Sequence, residues 1–279
     1  MKRILLGVFL LIFSTNTPFF AQEMMAELDE KLEESSALIV VNDSTFLTIN
    51  DSGNEPIVYI FNIAGEITHS CFISNAKNID WEALAFDGDN RLFIGDIGDN
   101  KNKRKKRTVY QVYLDEVLTQ DTVESSFIHF SYAEQSAFPP QKDQLYYDAE
   151  GMIFKNDSLF IFTKNRTKPF DGIVKVYRLN LRDSIQTLGV SFELQLAETN
   201  WMEDSVTDAF YENNTLLLLT YSKIYYFDWK NQVPVQVDYK CIETVTQKEG
   251  IFMFKDVIYL TDEASPFGTQ RLYTLSFWK

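Results

Sequence analysis

One short phrase recurs along this chain, and it restricts the folds available more than any other feature. An acid, a small residue and an apolar run lead through a tight turn into a second apolar run. Glu82-Ala83-Leu84-Ala85-Phe86 leads to residues 91–96, and Glu150-Gly151-Met152-Ile153-Phe154 to residues 159–163. Asp208-Ala209-Phe210-Tyr211 leads to residues 216–220, and Glu249-Gly250-Ile251-Phe252 to residues 257–261. A fifth copy, without its acid, runs from Ser36 to Asn50. Each copy reads as a β-hairpin, because its runs are rich in Val, Ile, Leu, Phe and Tyr and are joined by Asn, Asp or Gly. A supersecondary unit repeated five times implies stacked blades rather than a plain sandwich.

The copies begin at residues 36, 82, 150, 208 and 249, and such intervals suit blades of four short strands. The expected fold is therefore all-β: a five-bladed β-propeller with four antiparallel strands per blade. The longest interval, between 82 and 150, leaves room for a sixth blade. In the first unit the strands are expected at 37–41, 45–50, 56–63 and 66–73. The fifth unit runs out after three strands. Its outer strand is expected from the segment before Ser36, which would close the ring. Residues 23–34 also read as a helix, with Leu28 and Leu32 four apart.

Met1-Lys2-Arg3 followed by apolar residues 4–13 has the form of an export signal, too short to span a bilayer. Cleavage is expected after Ala21, which divides the chain into a signal at 1–21 and one propeller domain at 22–279. The protein is thus expected in the periplasm, at the cell surface or outside. Losing Lys2 and Arg3 with the signal takes the formal charge from −14 to −16. So acidic a chain argues against nucleic acid and anionic lipid as partners. No membrane span is expected, and the chain is expected to be monomeric. Cys71 and Cys241 fall in outer strands of blades that are not neighbours, so both are expected as free, buried thiols.

In a propeller the first strand of each blade lines the central channel, and the second runs back beside it. The start of the first and the end of the second therefore share one mouth. Glu82, Glu150, Asp208 and Glu249 begin first strands, while Asn50 and Asp96 end second strands. These six are the candidate metal ligands. Asp51, Asp99, Asn100, Asn165, Asp262 and Glu263 begin the loops on that face and are the candidate ligand-binding residues. Crowded carboxylates neutralise by taking up protons or a cation, and an all-oxygen set suits calcium. The competing expectation is that each acid caps backbone or pairs with Lys or Arg of a neighbouring blade.

Other chemistry has little support. His69 and His129 fall in outer strands, and no nucleophile elbow, Cys/His pair or phosphate loop is present. The basic run 101–107 reads as a solvated loop on the acidic face. The insertion 133–147 could cover the mouth. The leading functional expectation is a ligand-binding or scaffold module with a divalent-cation site at the mouth, taking a small molecule, a glycan or a peptide. The alternatives are a calcium-dependent hydrolase of phosphate esters or lactones, with Glu82 or Glu150 as base, and a carboxylate-based glycosidase.

Four segments carry a resemblance: Glu34-Ser35-Ser36-Ala37-Leu38, Asn50-Asp51-Ser52-Gly53, Asp80-Trp81-Glu82 and Ile94-Gly95-Asp96-Ile97-Gly98-Asp99-Asn100. In order and spacing they resemble the ESSGL, NDSG, DWED and IGDxGNN motifs of a family of secreted bacterial β-propellers. Ala83 stands where that family often has a second acid. More distantly the chain is similar to phytase-esterase and gluconolactonase propellers. That likeness implies calcium at the channel mouth, though a shared fold does not fix function.

Overall fold

Strands that are apolar on both faces must be covered on both faces, and a ring of blades does this by stacking each sheet between two others. The computed structural model describes residues 19–20, 22–266 and 268–276. The expected export signal therefore lies outside the described residues, apart from Phe19–Phe20. Five sheets form five blades around one axis, so the 82–150 interval holds no sixth. The first blade comprises Ser35–Asn42, Thr45–Asn50, Ile57–Phe61 and Ile67–Ile73. The second comprises Trp81–Phe86, Arg91–Asp96, Arg107–Tyr113 and Ser126–Tyr132. The third comprises Asp148–Lys155, Ser158–Lys164, Ile173–Asn180 and Val190–Gln195. The fourth comprises Asp208–Glu212, Thr215–Leu219, Lys223–Asp228 and Val235–Ile242.

The fifth blade takes Lys248–Phe254, Val257–Asp262 and Arg271–Ser276 from the end of the chain and Glu23–Glu27 from its beginning. Glu23–Glu27 pairs antiparallel with the last strand, Met24 opposite Tyr273 and Glu27 opposite Arg271. The ring is thus closed by hydrogen bonds between the two ends of the chain. The helical reading of 23–34 gives way to a strand and one 3₁₀ turn, Glu30–Leu32, whose Lys31 N–H is capped by Asp29 at 3.0 Å. Leu28 and Leu32 are buried not along a helix but in the seam between the fifth and first blades.

Each of the five seams has its own apolar cluster. Ile49, Trp81 and Ile94 meet between blades one and two, and Phe93, Met152 and Tyr177 between two and three. Phe162, Leu216 and Trp229 fill the third seam, Leu217, Ile251 and Leu260 the fourth, and Leu32, Phe46 and Leu272 the fifth. Each fully buried side chain of this size contributes about 1.5–3 kcal/mol. The hairpin turns follow the expected chemistry. Asn156-Asp157 and Asn213-Asn214 take positive φ, as Asn and Asp tolerate, and Lys255-Asp256 adopts the same pair of values.

Three short edge strands were not legible in the sequence. Thr122–Val123 lies parallel to Phe72–Ile73 on the first blade, Ile185–Leu188 to His129–Tyr132 on the second, and Phe19–Phe20 to Cys241–Ile242 on the fourth. Each comes from the segment just before the outer strand of the next blade and covers an otherwise open sheet edge. Both cysteines are free and lie in outer strands, but only Cys71 is fully buried, while Cys241 is half-buried at its edge. Burial pushes the Cys71 thiol up to about 11. Among the described residues no helix is long and apolar enough to cross a membrane.

If closure by the first strand holds the ring, a cavity behind it should be costly. Leu32→Ala is expected to lower stability by about 2–5 kcal/mol, read as a shifted midpoint in urea unfolding. A loss under about 1 kcal/mol would contradict the packing described for this seam.

Candidate functional site

The recurring acid owes its position to a β-bulge. In the second blade Trp81 pairs with Asp96 and Ala83 with Gly95, so Glu82 is the extra residue. In the third, Ala149 pairs with Thr163 and Gly151 with Phe162, which leaves Glu150 unpaired. In the fifth, Lys248 pairs with Asp262 and Gly250 with Thr261, which leaves Glu249. A bulge re-aims one side chain, and here three of them turn a glutamate toward the channel mouth. The small residue that follows is required by crowding at the axis. A Cβ on Gly250 would lie 2.2 Å from Thr261 Oγ1, and one on Gly151 would lie 3.0 Å from Ala209 Cβ.

The fourth blade has the acid but no bulge, since Asp208 pairs in register with Leu219 and Ala209 with Leu218. Asp208 is accordingly buried against backbone. Its two oxygens accept the N–H groups of Ala209 at 2.7 Å and of Ile251, in the next blade, at 2.8 Å.

The mouth encloses a cavity of about 240 Å³. Of the twelve residues expected there, Asp51, Glu82, Asn100, Glu150, Glu249 and Glu263 line it. The other six are engaged by neighbouring protein groups. Asp96 pairs with Arg104 at 2.9 Å, Asp99 with Arg107 at 2.7 Å and Asp262 with Lys248 at 2.9 Å. Asn165 accepts from Thr167 N–H and donates to Ile173 O, both at 2.9 Å. Asn50 donates to Lys31 O at 2.7 Å, and Asp208 is placed as described. The basic run is likewise not wholly solvated. Lys101, Lys103, Lys105 and Lys106 are exposed, but Arg104 and Arg107 turn inward to the two aspartates, and Arg107 is fully buried. No residue of 133–147 lines the cavity.

Within the mouth two chemistries lie side by side. Carboxylate oxygens of Asp51, Asp80 and Glu82 lie within 4.8 Å of one another. Gly98 packs against this group so closely that a Cβ there would sit 2.6 Å from Glu82 Oε1 and 2.7 Å from Asp80 Oδ2. Burial pushes the Asp80 carboxyl up to about 8, helped by the charges of Asp51 and Asp148. Burial also holds Glu82 well above the usual range, with Glu150 and Asp51 adding to it. Opposite them, Lys164 Nζ lies 2.9 Å from Glu150 Oε2 and donates to Tyr221 Oη at 2.9 Å. Arg166 pairs with Asp148 and reaches Glu150 Oε1 at 3.4 Å. Burial lowers the Lys164 ammonium, but Glu150, Glu249 and Tyr221 more than reverse this and keep it charged. Glu150, raised by burial against the pull of Lys164, titrates at about 7, and Glu263, raised by burial and by Asp51, also at about 7. Glu249 is raised well above the usual range by burial, and its Oε2 is buried without a hydrogen-bond partner.

Sequence reasoning counted acids and so missed Lys164, Arg166, Tyr221, Trp201 and Asp80. Asp80 stands just before its strand, outside the repeat's acidic position, and so carried no signal of its own. The far end of the channel is different in kind. There Phe86, Phe154, Phe210 and Phe252, all on inner strands, line a cavity of about 310 Å³ together with Asp87, Lys155 and Glu212.

Fold and site together define a five-bladed β-propeller with a polar, mostly acidic channel mouth. Among solved structures it is similar to glutaminyl cyclase of Myxococcus xanthus, with 10% identity, 94% of this chain and 97% of that one covered, and a TM-score of 0.50. It is also similar to a luciferin-regenerating enzyme, with 11% identity, 92% and 95% covered, and a TM-score of 0.50. At such identities the likeness shows the fold alone. No family model and no curated protein matches the chain.

The buried Lys164–Glu150 pair yields a pH-dependent expectation. Lys164→Met strands a buried carboxylate and should cost about 3–5 kcal/mol at pH 8 in urea unfolding. The cost should shrink at pH 5.5, below the value of about 7 at which Glu150 takes up its own proton. An equal loss at both pH values would mean that the pair is not the source of the effect.

Proposed function

We propose that this propeller is a ligand-binding module whose channel mouth takes one divalent cation, with calcium the best match, between Asp51, Asp80 and Glu82. The observation that carries the reading is the convergence of three carboxylates from two blades within 4.8 Å, with none of them in an ion pair among the described residues. Calcium binds oxygen at about 2.3–2.6 Å, so ligands of one ion lie no more than about 5 Å apart. The donor set fits that limit and is all oxygen. A cation would also offset the desolvation that now raises all three carboxyls. The export signal expected at residues 1–21 belongs to the same proposal. It suggests a calcium affinity like that of extracellular modules, about 10⁻⁴–10⁻³ M.

An enzymatic reading is favoured by one observation. Glu150 titrates at about 7 beside a charged Lys164. A carboxylate at that value exchanges protons readily at neutral pH, as a general base must. The two similar propellers are both enzymes by description, which is compatible with a hydrolase that uses the cation to polarise its substrate. Loss of turnover on chelation, against a panel of phosphate esters and lactones, would separate this reading from pure binding.

Calorimetry of calcium binding tests the proposal directly. Wild type should bind one ion, and Asp80→Asn and Glu82→Gln should each weaken binding at least tenfold. Affinity should rise at least tenfold per pH unit up to about 8, because Asp80 must give up its proton to the ion and the Glu82 carboxyl beside it is raised as well. The cation-free protein should show the opposite trend. Asp80 holds its proton in the folded state between its ordinary 3.8 and about 8, so stability falls as pH rises through that window. Absence of binding at pH 8, or variants that bind like wild type, would overturn the cation site.

A further inference from the structure

Beside the acidic mouth lies a larger groove of about 620 Å³, lined mainly by residues 166–170 and 198–201. The two spaces share three lining residues, Asn100, Arg166 and Trp201, so they adjoin at the rim of the mouth. Their compositions differ. The mouth is lined by carboxylates, whereas Leu145, Pro169, Phe170 and Trp201 line the groove.

Trp201 is the feature that packing leaves unexplained. Of the described tryptophans, Trp81 and Trp229 are buried, while Trp201 is 47% exposed. Yet the turn that carries it is fixed from several sides. Asn200 Oδ1 accepts the N–H groups of Met202 and Glu203 at 3.0 and 3.1 Å. Asp204 is buried and accepts from Lys223 Nζ and Tyr225 Oη, both at 2.6 Å, and from Thr199 N–H at 2.9 Å. Thr220 Oγ1 donates to Glu203 O at 2.7 Å, and Ser205 Oγ to Asn165 O at 2.9 Å. The indole stands edge-on to Tyr221, with ring centroids 6.3 Å apart, and Tyr221 in turn bonds Lys164. A large apolar ring held rigidly at the rim of a polar cavity costs little ordering entropy when a flat group stacks on it. Arg166, with its guanidinium partly open to solvent at the boundary, supplies donors that match a carboxylate or phosphate.

We propose that this groove is a second subsite, which takes the aromatic ring of a small ligand whose carboxylate or phosphate lies at the mouth beside Arg166. The placement of that anionic head rests on the cation reading above, whereas the ring's site on Trp201 and Phe170 does not. Together the two spaces fall within the size range of small-molecule sites.

The test uses 1-naphthyl phosphate and inorganic phosphate as probes, with and without calcium, followed by tryptophan fluorescence and calorimetry. Naphthyl phosphate should quench the wild-type emission and bind at least tenfold more tightly than inorganic phosphate. Trp201→Ala should weaken naphthyl phosphate at least tenfold. Phe170→Ala, which lies outside the acidic cavity, should weaken it at least threefold and leave calcium affinity within twofold of wild type. If calcium fails to bind but naphthyl phosphate still depends on Trp201 and Phe170, the groove stands and the cation reading falls. The groove is overturned if naphthyl phosphate does not bind, if it binds no better than inorganic phosphate, or if both variants bind it like wild type.

Discussion

Five inner strands converge on a single axis, and the crowding they create governs the rest of the molecule. Near the axis there is no room for a side chain on both sides of a strand. The residue after the acid must be small: Gly250 cannot bear a Cβ without collision, and Gly151 could do so only if Ala209 of the next blade gave way. The acid is displaced from the ladder in three blades and projects into the mouth. Packing thus creates a place where acids gather and water is scarce. Desolvation there raises the carboxyls of Glu82, Glu150 and Glu249 together. A structural necessity and a chemically loaded site have the same origin.

The fourth blade shows that the acid alone is not enough. Asp208 occupies the repeat's acidic position, but its strand pairs without a bulge, and its oxygens serve backbone N–H groups of its own blade and the next. It stitches blade four to blade five where its counterparts face the cavity. The same division runs through the loop residues. Asp96 and Asp99 each hold an arginine of the 101–107 run, and Asp262 holds Lys248 across its own hairpin, whereas Asp51 and Glu263 are left to line the mouth.

Periodicity made the blades legible, because every blade had to bury both faces and every hairpin needed a turn. The strand at 45–50 follows from an apolar run set between Asn42-Asp43-Ser44 and Asp51-Ser52-Gly53. Ring closure by the first strand was legible because the fifth repeat lacked one. The edge strands at 122–123 and 185–188 were not, since two to four residues of backbone pairing leave no pattern in side chains. At the site, the repeat marked which acids stand near the mouth but not which of them remain free. That depended on the bulge register and on Lys164 and Arg166, whose long side chains reach in from the end of a second strand and the loop after it. Trp201 had no repeat to announce it, as it opens a one-turn helix, Trp201–Asp204, in the connection between two blades.

The edge strands also fasten the ring at its rim. The segment before the outer strand of blade two lies across blade one, that before the outer strand of blade three lies across blade two, and in the uncleaved chain Phe19–Phe20, which cleavage after Ala21 would remove, lies across blade four. Blades five and one are joined by the closing strand and by Asp29 N–H bonded to Gly65 O at 2.9 Å. Between blades three and four no such strap crosses among the described residues, for the third sheet has four strands and no borrowed edge. That boundary is held by apolar contact and a few side-chain bonds, among them Ser205 to Asn165. The hoop therefore has a clasp, and the loops that carry Arg166, Phe170 and Trp201 are set on either side of it.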